Sequence, residues 1–240
     1  MSFAFKILTT GDRAVAVEFG AAIDEKINAR VHLLARFFAG ERPCPGIVDI
    51  VPTYRSLSLI FDPFVLSKKE LCGLIETYIA ANRDMFAEAS FTRVSHTVKI
   101  PVCYGGEFGP DLAAVALHSG LSEDEVVNIH SAVKYKVYML GFLPGFPYLG
   151  GLDERIACPR LKTPRTNVPA GSVGIAASQT GVYPVDSPGG WQLIGRTPQR
   201  IFDKNRGKPF MVQPGDMIEF VPVGKEEYNR LLAETAVKKC

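Results

Sequence analysis

Cysteine is sparse in this chain and follows no pattern. The five cysteines, Cys44, Cys72, Cys103, Cys158 and Cys240, are odd in number and widely scattered, and no C-x-x-C occurs. That excludes a disulfide framework and a thiolate zinc site, and points to reduced thiols in a cytoplasmic protein. Long apolar runs are missing too. None approaches the roughly 20 residues needed to span a bilayer, and the opening M-S-F-A-F-K-I-L-T-T-G-D-R lacks the basic-then-apolar order of a signal peptide. No membrane association is expected. Charge of one sign is not in excess: the formal net charge is +2, which gives no bulk attraction to nucleic acid or an anionic membrane. Histidines at i, i+4 spacing are lacking, and His118 and His130 are too far apart to read as a metal signature. No metal site is expected. No G-x-x-x-x-G-K-[ST] loop is present, so the chain has no P-loop for a nucleotide.

What remains is 47% hydrophobic and 22% charged over 240 residues. That suits a globular chain with a full core, in one large or two small domains. The first half alternates strands and helices. Residues 13–19 alternate around Ala14, Val15 and Val17 and read as a strand. Ile23, Ile27, Val31, Leu34 and Phe38 share one helical face, with Gly40 placed to end the helix. Residues 46–52 and 54–61 are β-rich and nearly continuous, which predicts a hairpin. Ser67 and Glu70 form a capping box, Leu66 and Leu71 a staple, and Leu71, Leu74, Ile75, Tyr78 and Ile79 a buried stripe. Residues 96–102 read as a further strand. The order βαββαβ matches the split β-α-β, ferredoxin-like unit. After Cys103 the chain becomes dense in glycine and proline. Short β-rich runs at 173–177, 181–185, 191–195 and 217–221 predict a barrel or sandwich, closed by a helix over 226–236. The expected class is α+β, with an N-terminal ferredoxin-like α/β domain over 1–92 and a β-barrel domain over 93–240.

Two local motifs are set aside. Residues 113–130 have the cadence of a helix-turn-helix, but the second helix opens with Glu123, Asp124 and Glu125, which would face DNA phosphates. Ser122 with Glu125 makes a capping box, and the acids suit a helix N-terminus. A-G-S-V-G at 170–174 approaches a nucleophile elbow, yet Pro169 precedes it and a β-type run follows, so Ser172 reads as a turn residue. The charge distribution carries more. Arg155, Arg160, Lys162, Arg165, Arg196 and Arg200 face a single acid, Asp186, over the same span. Set in rigid, turn-rich segments, these cations make either a groove for carboxylate or phosphate or a solvated basic face.

From residue 98 onward longer words appear: V-K-I-P-V-C-Y-G-G-E-F-G-P-D-L, Y-M-L-G-F-L-P-G-F-P-Y-L-G-G-L, T-P-R-T-N-V-P-A-G-S-V-G-I-A and Q-T-G-V-Y-P-V-D-S-P-G-G-W-Q-L-I-G-R-T-P. With G-D-R-A-V-A-V-E-F-G and V-P-T-Y-R-S-L in the first half, they resemble the family of the bacterial kinase A inhibitor. That family is also described as the B subunit of ATP-dependent 5-oxoprolinase and as the first allophanate hydrolase subunit. The resemblance implies that the barrel domain is cyclophilin-like. It implies a hydrolase subunit that helps open 5-oxo-L-proline to L-glutamate with ATP, inactive alone. The ATP would be bound with or by partners, namely the A and C subunits of 5-oxoprolinase. The alternative it implies is inhibition of a sporulation sensor histidine kinase by direct binding.

The stretch G-F-L-P-G-F-P-Y-L-G-G at 141–151 has no charge and holds three aromatic rings on a stiff backbone. It reads as the wall of a substrate or partner groove formed by Phe142, Phe146, Tyr148 and Trp191, with Arg196; the alternative is that the rings plug the barrel. For chemistry, Arg165 between Pro164 and Pro169 suits an anion. His130 suits proton transfer through an ordinary pKa near neutrality. Gln179 and Asp186, bracketing Q-T-G-V-Y-P-V-D, suit orientation of a substrate amide.

Overall fold

The structure is a computed structural model that describes residues 3–40, 44–90 and 96–237. The chain divides into two compact units, Met1–Val94 and Ser95–Cys240. The expected boundary between residues 92 and 93 lies outside the described residues, as does Cys240. The four described cysteines are free thiols. No described helix is long and apolar enough to cross a membrane.

The first unit is one antiparallel sheet with helices. It runs β1 (Lys6–Thr9), β2 (Ala14–Glu18), α1 (Glu25–Phe38), β3 (Ile47–Pro52), β4 (Ser56–Phe61), α2 (Lys68–Ala81) and α3 (Arg83–Ala87), with strand order β1-β2-β4-β3. Alternation puts Val15 and Val17 of β2 and Leu57 and Leu59 of β4 on one buried face. The stripes Val31, Leu34 and Phe38 of α1 and Leu71, Ile75 and Ile79 of α2 fill the same core; of the residues expected in them, Ile23 lies ahead of α1 and is exposed, and Leu74 is exposed on α2. Asp24 caps α1, accepting from the Lys26 and Ile27 amides. The capping box of α2 is present in both directions, Glu70 N–H to Ser67 Oγ at 3.2 Å and Ser67 N–H to Glu70 Oε2 at 2.9 Å.

The strand expected at 96–102 does not close this sheet: it is β5 (Thr97–Tyr104) of the second unit. The first unit instead gains β1, and runs ββαββαα rather than the ferredoxin-like βαββαβ. β1 is a four-residue edge strand with no fully buried side chain, so it shows no alternation in sequence.

The second unit is built on a closed seven-stranded barrel. Its strands are β5, β6 (Lys134–Leu140), β7 (Pro147–Gly150), β9 (Ser172–Ala176), β10 (Gln179–Val182), β12 (Gln192–Arg196) and β13 (Met217–Pro222), in the order β10-β7-β6-β13-β5-β12-β9. All neighbours are antiparallel except β13 with β5. A separate ladder pairs β8 (Arg165–Val168) with β11 (Ser187–Gly189). Val102, Val137, Val173, Ile175, Ile194, Ile218 and Phe220 form the interior. Leu112 and Val115 of α4 (Leu112–Ser119) and Val126 of α5 (Glu123–Ser131) join that cluster, so the helix-turn-helix segment is packing. Its turn is Gly120 at φ 68, and its second helix has the expected Ser122–Glu125 capping box. The last described helix is α6 (Lys225–Val237).

The strand β9 explains how the site is placed. All five of its residues are buried, because both faces are covered. Val173 and Ile175 point into the barrel, while Ala176 belongs to an outer cluster with Phe146, Val168, Tyr183, Trp191 and Leu193. Glycines let these rings lie close against the wall. A Cβ on Gly181 would meet the Phe146 ring at 3.0 Å, and one on Gly174 would meet Trp191 Cβ at 3.1 Å.

Candidate functional site: an aromatic cavity on the barrel wall

The outer cluster lines a cavity of about 280 Å³. Phe146 is its hub, fully buried. Its ring meets Trp191 edge-on at 5.3 Å, Tyr183 edge-on at 5.2 Å and Tyr148 at 5.0 Å. Such edge contacts fix ring orientation as well as burying area. Phe142 packs at right angles on Phe146 but is 63% exposed, at the rim. Its φ of 65 is a left-handed backbone, flanked by Gly141 and by Gly145 at φ 80. The opposite wall is Pro164, Pro188, Gly189 and Gly190, carried on and beside the β8–β11 ladder. A Cβ on Gly189 would stand 2.5 Å from the Tyr183 hydroxyl, so the bare backbone there makes room for that ring.

Among the described residues one charged group lines the cavity: Arg160, whose guanidinium carbon stands 5.9 Å from the Trp191 ring centroid. Burial pushes the phenols of Tyr148 and Tyr183 above their ordinary pKa, and in both the Arg160 charge acts in the opposite direction.

The structure brings together Phe142, Phe146, Tyr148 and Trp191, and sets the other expected residues apart. Arg165, next to Pro164, donates from Nη2 to Asp111 Oδ1 at 2.6 Å, while its Nη1 is buried without a partner. Arg196 lies at the far end of β12, paired across the ladder with Ser172 and Cys103, and its charge faces the Tyr228 phenol. Gln179 opens β10 opposite Ala176, off the cavity. Asp186 is exposed, and its Oδ1 accepts the Ala170 N–H at 2.7 Å, which staples a loop. Ser172 does not sit in an elbow: it opens β9, directly after Gly171 at φ 82.

His130 is inside the barrel. It is wholly buried, with Nδ1 against Tyr104 Oη at 2.8 Å, Nε2 against Thr180 Oγ1 at 2.9 Å and its ring stacked 4.7 Å from Phe220. Burial drives its pKa down to about 3. The ordinary value near neutrality, on which its proton-transfer role rested, does not hold in this setting.

Arg160 and Tyr183 are the cavity rings and charges that the motifs did not single out, and Pro188, Gly189 and Gly190 join them in the lining. Arg160 was one of six cations with nothing to rank them, and Tyr183 sits in a run that reads as strand. Among the described residues no cluster of His, Cys, Asp or Glu could hold a metal ion.

A family model described as "Carboxyltransferase domain, subdomain C and D" matches residues 5–212. Among curated proteins, the chain is 42% identical to the 5-oxoprolinase B subunit of Bacillus subtilis, over 98% of this chain and 100% of the relative. It is 41% identical to the 5-oxoprolinase B subunit of Escherichia coli O157:H7, over 88% and 93%. Among solved structures, TTHA0988 superposes with a TM-score of 0.75 at 37% identity; the match covers 88% of this chain but only 40% of that longer one.

Proposed function

Because the chain belongs to the carboxyltransferase subdomain C and D family, together with the bacterial 5-oxoprolinase B subunits, we propose that it is the B subunit of an ATP-dependent 5-oxoprolinase. In this reading it acts with partner A and C subunits to open the lactam of 5-oxo-L-proline, giving L-glutamate. The near full-length identity to two such subunits carries the reading. The closed barrel supports taking the second unit as cyclophilin-like.

The cavity supports a division of labour. Among the described residues its lining contains no histidine, carboxylate or thiol, and its two phenols have raised pKa values. These residues can bind, orient and exclude water, but they offer no general base at neutral pH. They also do not fit ATP, which needs several donors converging on its phosphates. A single guanidinium among apolar walls is no such cradle; in this reading the nucleotide is bound with or by the partner subunits.

The test is reconstitution. ATP-dependent glutamate release from 5-oxo-L-proline is expected from the complete set of subunits and not from this chain alone or from the set lacking it. Full turnover by the set without this chain contradicts the assignment.

A further inference from the structure

The three arginines between residues 155 and 165 are not equivalent. Arg155 is held by Asp153, with Nη2 to Oδ2 at 2.7 Å, and Arg165 by Asp111. Arg160 makes no ion pair or hydrogen bond among the described residues and is exposed at the cavity mouth. A guanidinium held over an indole face is oriented while all its N–H donors stay available. Its charge is felt at the hydroxyls of both Tyr148 and Tyr183, so the polar groups of the cavity are gathered around one cation. The rest of the lining is ring faces, prolines and bare glycine backbone.

An occupant that satisfies this surface carries one negative charge and a small, flat or cyclic apolar body. A cation would meet Arg160 unfavourably, and a polyanion would find one partner only. A carboxylate matches the fork of the guanidinium in shape as well as in charge.

We propose that the cavity is a carboxylate-binding site in which Arg160 anchors the anion and Trp191 and Phe142, backed by the buried Phe146, hold the ring of a small cyclic carboxylate. Its identification with 5-oxo-L-proline rests on the function proposed above. Arg160 then sets specificity: it distinguishes the acid from the neutral lactam ring.

The chain provides its own reporter, because Trp191 is its one tryptophan. The full-length chain is titrated with 5-oxo-L-proline, with cyclopentanecarboxylate and with 2-pyrrolidone, the lactam without its carboxylate. Trp191 emission should change saturably with both carboxylates and at least about tenfold more weakly with 2-pyrrolidone. Arg160→Ala should weaken both carboxylates by about tenfold or more and leave 2-pyrrolidone unchanged, while Arg155→Ala should bind as the parent does. The proposal is overturned if neither carboxylate is bound, if 2-pyrrolidone binds as tightly, or if Arg160→Ala binds the acids normally. The two readings separate cleanly. Carboxylate binding here, with a complete subunit set that has no 5-oxoprolinase activity, upholds the site and removes the function. Chain-dependent activity without any Trp191 response does the reverse.

Discussion

Arg165 Nη2 donates to Asp111 Oδ1 at 2.6 Å, and Asp111 Oδ2 accepts the Leu193 backbone N–H at 2.6 Å. One carboxylate, with its side chain only 10% exposed, thus ties β8 to β12 at the start of α4. The ladder that carries Pro164 and Gly189 is fastened to the barrel through this pair.

Removing Arg165 leaves a mostly buried carboxylate with its backbone donor alone. Arg165→Ala is therefore expected to destabilise the chain by about 1–3 kcal/mol. A double-mutant cycle with Asp111→Ala should show coupling on the order of 1 kcal/mol. Thermal and denaturant melts check this. Should Arg165→Ala melt like the parent while the reconstituted enzyme loses turnover, Arg165 meets the substrate anion instead of holding the ladder.

Burial of His130 makes stability depend on pH. Its pKa is lowered from 6.5 to about 3 in the fold. Above the unfolded value both states keep it neutral, and it adds no slope. As pH falls from 6.5 toward 3, the unfolded chain takes up a proton that the folded chain does not, so stability falls. The loss between pH 7 and pH 5 is about 2 kcal/mol from this group. Denaturant unfolding at both pH values should show a smaller loss in His130→Gln than in the parent. Equal losses would show that His130 is not the group responsible.

Gly189 is the contact that keeps the Tyr183 ring in place. An added Cβ would stand 2.5 Å from the hydroxyl and 2.8 Å from Cε1 of a ring that is almost wholly buried. Gly189→Ala should push that ring into the cavity, at a cost of about 1–3 kcal/mol, and shift the emission of neighbouring Trp191. A parent-like melt and spectrum would mean that the wall yields elsewhere.

Local chemistry was legible in the sequence where it is self-contained. The Ser67–Glu70 and Ser122–Glu125 boxes, the stripe of α1 from Ile27 to Phe38 and the gathering of Phe142, Phe146, Tyr148 and Trp191 all follow from spacing or from glycine and proline placement. Partnership was not legible. Residues 96–102 read correctly as a strand, but the sheet they join is set by β13, far along the chain. Likewise, nothing local tells Arg160 from Arg165. Which one is free depends on Asp111, which reaches Arg165 only through the tertiary fold. His130 looked titratable because its burial comes from Tyr104, Thr180 and Phe220, on three strands remote from α5 in sequence.

The central claim is that the cavity around Trp191 serves 5-oxoproline turnover, and the steady-state kinetics of the reconstituted enzyme test it most directly. Arg160→Ala and Trp191→Ala are assayed for ATP-dependent glutamate release, with assembly followed by gel filtration. The expected result is an intact complex in which each variant lowers kcat/KM for 5-oxo-L-proline by at least about tenfold, with Arg160→Ala acting mainly through KM. An intact complex in which both variants keep the parent's kcat/KM would contradict it.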